Sequence, residues 1–171
     1  IVKSLSNTSC ILDVLPTYMF KNPKLLEVLL PVISKLINES LTTGLVPKFM
    51  KKSVVTPIIK KRSLDKEILA NYRPVSNISF MSKILEKVVL KQLVEYLKLN
   101  DLLDVNQSAY RKFHSCETAL VKVKNDIDTA IDDGLGAILL LLDNSAAFET
   151  INHVILFNRL ENLLGITGIP F

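Results

Sequence analysis

Cysteine is scarce in this chain, and the two that occur form no pattern. Cys10 and Cys116 stand alone, with no Cys-x-x-Cys pair and no zinc-ligand spacing. This excludes a disulfide framework and a structural zinc site, and a reducing compartment is the simplest setting. Long apolar runs are also lacking, since none reaches the roughly 18 residues of a membrane span. We therefore expect no membrane association.

The two ends lack the features of finished termini. The start, IVKSLSNTSC, has no initiator Met and lacks the charged, apolar and small-residue order of a signal peptide. The end, GITGIPF, stops without a tail. We interpret both ends as cut from a longer protein. Repeats and low-complexity segments are absent, so 171 residues fit one domain or part of a larger one.

Apolar residues are plentiful, at 49% of the chain, which is enough for a core and unlike a disordered protein. The net charge is +4 and the pI is near 9.0. This charge points mildly toward anionic partners, although an ordinary basic surface explains it equally well.

Helical spacing of apolar residues dominates the pattern. It predicts four helices, over residues 23–43, 82–98, 116–133 and 154–164. Gly44, Gly134 and Gly165 mark the ends of the first, third and fourth helices. Pro31 lies inside the first helix and should kink or divide it.

Two short segments read as strands. Residues 53–60, SVVTPIIK, are rich in β-branched side chains, and Pro57 suggests a sheet edge. Residues 137–142, AILLLL, read as a fully buried strand. Residues 63–72 are polar and predict a loop. The fold class is therefore α+β, with helix dominant.

Positive charge is concentrated between residues 48 and 62, where no acidic residue occurs. The basic residues there are Lys48, Lys51, Lys52, Lys60, Lys61 and Arg62. They flank the predicted edge strand, so they could lie along a phosphate backbone and release its counterions. A solvated loop is an equal alternative. Arg73 and Arg111 each follow a tyrosine, which suits contact with phosphate and base together, although such a pair is more often structural.

Asp143 ends the apolar run of residues 137–142. A carboxylate at the rim of a core can hold a hard cation such as Mg²⁺, together with substrate phosphates. Nucleotidyl transfer by two metal ions normally needs at least two carboxylates. Glu149 lies six residues further on, across a turn, so its pairing with Asp143 cannot be assumed. A plain aspartate that makes a turn or cap is the commoner alternative.

Several blocks resemble reverse transcriptases of non-LTR retrotransposons. The stretch LLLLDNSAAFETINH is similar to that family's first catalytic motif, LLDLSAAFDTIDH. Four further blocks resemble the family's entry region, its fingers and the helix after the first motif: GLVPKFMKKSVVTPIIKK, NYRPVSNISFMSKILEKVV, NQSAYRKFHSCETAL and HVILFNRLENLLGITG. They follow the family's order and spacing over nearly the whole chain. Their residues, SAYR and SNISF in particular, most resemble the jockey and chicken-repeat-like branches.

The resemblance implies a right-hand polymerase fold, of which this chain covers the fingers and the start of the palm, with an incomplete palm sheet. It divides the chain into an N-terminal helical lead-in, residues 1–47, and a partial reverse transcriptase domain, residues 48–171. It implies RNA-directed DNA polymerase chemistry on an RNA template, a DNA primer and deoxynucleoside triphosphates. It also implies an intracellular protein of the nucleus, the cytoplasm or both, while protein partners stay unknown.

The resemblance also assigns roles to residues. Asp143 matches the catalytic aspartate that binds both Mg²⁺ ions, and Phe148 matches the aromatic under the incoming sugar. Ordinary core packing is the alternative for Phe148. Backbone amides of Ser145, Ala146 and Ala147 would face the triphosphate, and Lys60, Lys61 and Arg73 match basic fingers residues near the triphosphate or template. Arg111 would line the template path, with Lys48, Lys51, Lys52 and Arg62 as further nucleic-acid contacts. His114 and His153 are assigned no catalytic role.

The chain departs from the family pattern in its details. Glu149 and Asn152 replace aspartates, Asn144 replaces an apolar residue and Cys116 replaces a threonine. The second catalytic motif, an aromatic followed by Ala-Asp-Asp, does not occur in these 171 residues. We therefore expect this chain alone to be inactive. It could be a polymerase fragment, a remnant that binds RNA or RNA–DNA without chemistry, or the inert product of a pseudogene.

Overall fold

The computed structural model describes residues 1–143, 148 and 150–167. Their elements, in chain order, are α1 (Thr17–Phe20), α2 (Pro23–Thr43), β1 (Ser53–Ile59), β2 (Tyr72–Ile78), α3 (Phe80–Leu99), α4 (Cys116–Asp132) and α5 (His153–Asn162). Short 3₁₀ helices cover Val2–Ser4, Lys48–Lys51 and Leu69–Asn71. Helix with one two-stranded antiparallel sheet in the described part confirms the α+β class. No helix of the described residues is long and apolar enough to cross a membrane.

The described chain divides into two compact units: Ile1–Tyr96 together with residues 166–167, and Leu97–Gly165. The first unit therefore contains both the predicted lead-in and the hairpin of β1 and β2. The boundary at residue 47 remains a prediction.

Helix α2 begins and ends where local chemistry sets it. The side chain of Asn22 accepts hydrogen bonds from the backbone N–H groups of Lys24 and Leu25, at 3.0 and 3.4 Å. Gly44 ends the helix with a φ of 69°, a left-handed conformation that glycine adopts without strain.

Pro31 does not divide α2, which continues through it, and a kink there stays a prediction. Proline removes one helical hydrogen bond, a loss of about 3 kcal/mol in an isolated helix. Here Pro31 lies on the exposed side of the helix, and so does Glu27, whose carbonyl loses its partner. The opposite stripe, Leu26, Ile33 and Ile37, is buried and holds the helix together.

The core lies in the first unit and joins its helices. Its buried apolar members are Val2, Leu5, Phe20, Leu26, Ile33, Ile37, Met50, Phe80, Ile84 and Leu85. Phe80 is only 1% exposed, and its ring centroid lies 4.9 Å from that of Phe20. The described residues of the second unit contain no buried side chain. The first unit therefore has far more apolar burial to stabilise it.

Strands β1 and β2 pair antiparallel, from Ser53 opposite Ile78 to Ile59 opposite Tyr72. Both are edge strands of a two-stranded sheet, as Pro57 indicated. The pattern did not predict β2, because its sequence YRPVSNI carries weak strand preference and gains its structure from pairing with β1. The 60–71 connection is a loop held by internal hydrogen bonds. Asn71 Nδ2 donates to Asp65 O, and Tyr72 OH donates to Lys66 O.

Polar contacts hold the base of this hairpin against the rest of the first unit. Asp13 accepts from the backbone N–H groups of Phe80, at 2.6 Å, and Cys10, at 2.8 Å. Cys10 Sγ donates to Asn77 O at 3.3 Å, at the end of β2. Ser82 Oγ donates to Met50 O at 2.9 Å, just before β1. Both strands thus leave the core from fixed points.

Replacement of Asp13 tests this junction. Asp13→Ala leaves two backbone N–H groups without their charged acceptor, so we expect the free energy of unfolding to fall by about 2–3 kcal/mol. Asp65→Ala is the control, because Asp65 is exposed and its carboxylate accepts only from Glu67 N in the described hydrogen bonds. It should cost about 0.5 kcal/mol or less. Urea denaturation followed by circular dichroism measures both, and equal losses would refute the special role of Asp13.

Candidate nucleic-acid interface

The predicted basic residues lie at the two ends of the β1–β2 ribbon. Lys48, Lys51 and Lys52 precede β1, whereas Lys60, Lys61 and Arg62 follow it, and all six are exposed. A strand rises about 3.3 Å per residue, so the two groups are roughly 25 Å apart. The structure therefore forms two basic clusters rather than one. We call residues 60–62 together with Arg73 the distal basic cluster.

Arg73 joins the distal cluster through the register of the ribbon. It pairs with Ile58, and Lys60 lies two residues beyond Ile58 on the same face. The Lys60 side chain is partly committed, because its Nζ donates to Ala70 O at 2.9 Å across the ribbon. Lys61, Arg62 and Arg73 show no ion pair among the described residues. Their charges are available to an anion.

Arg111 has a structural role in the second unit. Its Nη1 donates to Asp104 O at 2.8 Å and to Gln107 O at 3.3 Å, so it closes the loop before α4. Arg111 as a whole is half-buried. Its predicted role in template binding remains a prediction.

Helix α4 has complete signals at both ends. Ser115 Oγ accepts from Thr118 N, and Thr118 Oγ1 accepts from Ser115 N, a reciprocal capping box. Hydrogen bonds to Ser115 and to its own backbone lower the pKa of Glu117, so its contribution to stability is lost only as the pH falls below the ordinary carboxyl range. At the other end, Gly134 has a φ of 74° and Leu135 N donates to Ala130 O, a Schellman motif.

The prediction of a buried strand at residues 137–142 was wrong. The segment has no regular structure, and Ile138 is 98% exposed while Leu142 is 84% exposed. A buried strand needs hydrogen-bonded neighbours and a covering layer, and the described part of the chain provides neither for these residues. Its backbone therefore faces water.

Asp143 follows this segment and is exposed. Phe148 is 73% exposed, so the core-packing alternative does not hold within the described residues. Ser145, Ala146 and Ala147 lie outside the described residues, as do Asn144 and Glu149. Within the first catalytic motif, the structure therefore describes Asp143 and Phe148 but not the residues between them.

The Asp143 carboxylate is the type of oxygen donor that Mg²⁺ prefers. One carboxylate does not make a magnesium site, however, and the described residues contain no group of three or more His, Cys, Asp or Glu side chains that could hold a metal ion. The donor type fits the expected ion, but the described residues alone supply too few donors to hold it.

Asn152, which departs from the family's aspartate, caps α5. Its Oδ1 accepts from Val154 N at 3.0 Å and from Ile155 N at 3.2 Å. Asparagine and aspartate are equally good caps, so this substitution preserves the local structure. His153 is the first residue of the helix, and its ring centroid lies 6.4 Å from that of Phe157.

Sequence reasoning noted the tyrosine before Arg111 but missed Phe113, the second exposed ring beside it. Tyr110 is 91% exposed and Phe113 is 88% exposed, and Lys112 Nζ lies 4.7 Å from the centroid of the Phe113 ring. The available signal was the alternation of aromatic and basic residues in AYRKFH. Asp13 had no local signal, because its partner Phe80 is 67 positions away.

The profile of the family described as "Reverse transcriptase (RNA-dependent DNA polymerase)" matches residues 59–165, more than half of the chain. The chain belongs to the reverse transcriptase family. The match begins at the end of β1 and extends past α5, so it contains the distal basic cluster, Arg111 and Asp143. This confirms the identification made from the sequence blocks.

Two curated relatives of this reverse transcriptase come from Drosophila melanogaster. The probable RNA-directed DNA polymerase from transposon BS is 24% identical over 131 residues, and that from transposon X-element is 26% identical over 118 residues. The matches cover 77% and 69% of this chain but only 14% and 13% of those proteins. No solved structure matches significantly.

Hydrogen exchange tests the exposed segment before Asp143. Because residues 138–143 form no described backbone hydrogen bond, we expect their amides to exchange fully at the earliest time point. Residues 33–37 of α2 are the internal control, because Ile33 and Ile37 are in the core and their amides should be protected. Peptide-level mass spectrometry measures both, and equal protection would show that residues 138–143 are paired.

Proposed function

We propose that this chain forms the fingers and the start of the palm of a right-hand RNA-directed DNA polymerase. The complete enzyme would add a deoxynucleotide to a primer 3′-hydroxyl on an RNA template, in the nucleus, the cytoplasm or both. One observation carries the proposal: Lys61, Arg62 and Arg73 are exposed at one end of the ribbon, without ion pairs in the described structure and inside the matched family region.

The distal basic cluster would bind the RNA template or the triphosphate. Phosphates are the ligands that such a cluster favours, because lysine and arginine release counterions from a nucleic-acid backbone. Two ion pairs occur among the described residues, of Lys122 with Asp126 and of Lys124 with Asp128 in α4, and neither involves the distal basic cluster. Lys48, Lys51 and Lys52 would extend the contact at the other end of the ribbon.

Asp143 would supply one of several ligands for two Mg²⁺ ions, with the others coming from elsewhere in the polymerase. When bound, these ions supply positive charge for the attacking and leaving oxygens. Phe148 would contact the incoming sugar, and the amides of Ser145, Ala146 and Ala147 would face the triphosphate. The exposure of Phe148 supports this role, because an exposed ring is free to contact a ligand.

A second candidate function is RNA or RNA–DNA binding without chemistry. The observation that favours it is that the described residues form no group of three or more His, Cys, Asp or Glu side chains that could hold a metal ion. Binding by the basic clusters does not need a metal. An inert product would show neither binding nor chemistry.

Neutralisation of the distal cluster tests the binding role. The variant Lys61→Gln/Arg62→Gln/Arg73→Gln removes three charges that have no described side-chain partner, so the fold should survive. We expect the slope of log affinity against log salt for single-stranded RNA to fall by about two. The control variant Lys35→Gln/Lys87→Gln/Lys91→Gln removes the same net charge from exposed helix positions. Fluorescence anisotropy over a salt series measures the slopes, and an equal fall in both variants would reduce the effect to net charge alone.

Primer extension tests the catalytic part. We expect purified residues 1–171 to give no Mg²⁺-dependent extension of a DNA primer on an RNA template, because these residues carry one of the family's catalytic aspartates and lack the Ala-Asp-Asp motif. Extension that Asp143→Ala abolishes would contradict this expectation. Asp101→Ala, at another exposed aspartate, is the matched control.

A further inference from the structure

The loop before α4 presents two aromatic rings to solvent. Tyr110 and Phe113 are 91% and 88% exposed, more than any other described aromatic side chain. Aromatic rings usually bury much of their surface, and these two bury almost none in the described structure. Both rings belong to one short segment, residues 110–114.

The conformation of this segment is held by other groups. Tyr110 and Phe113 have left-handed φ angles of 59° and 66°, which non-glycine residues rarely adopt. Arg111 holds the loop through the carbonyls of Asp104 and Gln107, and the capping box of Ser115 fixes the start of α4. The rings contribute nothing to this framework in the described contacts beyond the approach of Lys112 to Phe113.

Positive charge is interleaved with the rings. Arg111 and Lys112 lie between the two rings in the sequence, and Lys112 Nζ lies 4.7 Å from the Phe113 ring centroid. Two acidic residues are near in sequence, and both are engaged: Glu117 bonds to Ser115, and Asp104 Oδ1 accepts from Asn106 N. Ring faces beside cations are the chemistry that binds unpaired nucleotides, by base stacking and phosphate contact.

We propose that residues 110–114 form a stacking platform for unpaired nucleotides of an RNA strand. Tyr110 and Phe113 stack on bases, while Lys112 contacts the adjoining phosphate and Arg111 positions the loop. The inference rests on the proposed RNA-binding function. It adds a site that contacts bases, whereas the distal basic cluster contacts the charged backbone. The platform therefore favours single strands over duplexes, in which the bases are already stacked.

The test uses the 171-residue chain and a single-stranded oligoadenylate of about 12 nucleotides, a length typical for such sites, with one 2-aminopurine. A strand of abasic riboses with the same length and charge is the second probe. Tyr110→Leu/Phe113→Leu keeps apolar bulk and charge but removes both ring faces. We expect its affinity for oligoadenylate to fall by roughly five- to a hundredfold per ring, with an unchanged salt slope.

Two controls separate stacking from folding. Tyr18→Leu removes an exposed ring, 67% accessible, from the first unit and should leave the affinity unchanged. Phe113→Gly removes the ring and also relieves the left-handed φ, so it should fold at least as well and still lose affinity. Quenching of the 2-aminopurine by the wild-type chain, and its loss in both Phe113 variants, reports the stack directly.

The outcomes are distinct. Equal affinity of wild type and double variant for oligoadenylate, with the distal-cluster variant still lowering the salt slope, overturns the platform and leaves the proposed function standing. Equal affinity of the wild type for the oligoadenylate and abasic strands also overturns the platform. Self-association that disappears in the double variant overturns it in favour of a protein contact. Binding of neither probe overturns both proposals.

Discussion

The carboxylate of Asp13 is the contact on which the arrangement of the first unit depends. It joins the N-terminal segment to the start of α3, and Cys10 extends the same junction to the end of β2. On the other strand, Ser82 fixes the carbonyl of Met50, and its hydroxyl lies 2.7 Å from that of Ser79. The basic ribbon therefore starts from a junction that the residues before it help to build. An N-terminal segment that touches no expected substrate can still decide where the ribbon's charges lie.

The two units differ in how much apolar surface they bury. The first has a continuous core around Phe80, whereas the second, in its described residues, has no buried side chain. Helices α4 and α5 leave apolar residues such as Leu120 and Val154 open to water, at 67% and 68% exposure. Their stability must come from caps and local pairs, which are modest contributions compared with a core. The chain matches only about a seventh of its curated relatives, which are several times longer. In proteins of that length, further residues are present that could cover such open surfaces.

The sequence predicted those features that neighbouring residues determine. Helices α2 and α4 were placed with their glycine ends, because capping and apolar spacing act within a few residues. Strand β2 was missed, and the 137–142 segment was misassigned, because a strand depends on a distant partner that periodicity does not reveal. For the site, the pattern named the basic residues but could not show that they divide between the two ends of a ribbon. The role of Asp13 followed from a contact with Phe80, 67 positions away, which no short motif encodes.

The two prolines that face each other across the ribbon limit its pairing with further strands. Pro57 pairs with Pro74. Lys60 N donates to Asn71 O, and hydrogen-bonded and non-hydrogen-bonded pairs alternate along an antiparallel ladder. The Pro57–Pro74 pair, three positions from that bond, is therefore a non-hydrogen-bonded pair, at which N–H groups would point away from the partner strand. Each outer edge thus lacks a donor near its middle. A third strand that approached either edge would find the hydrogen-bond ladder interrupted there. The ribbon is built to stay two-stranded, and its flanks resist recruitment into intermolecular sheets while its lysines and arginines stay in water.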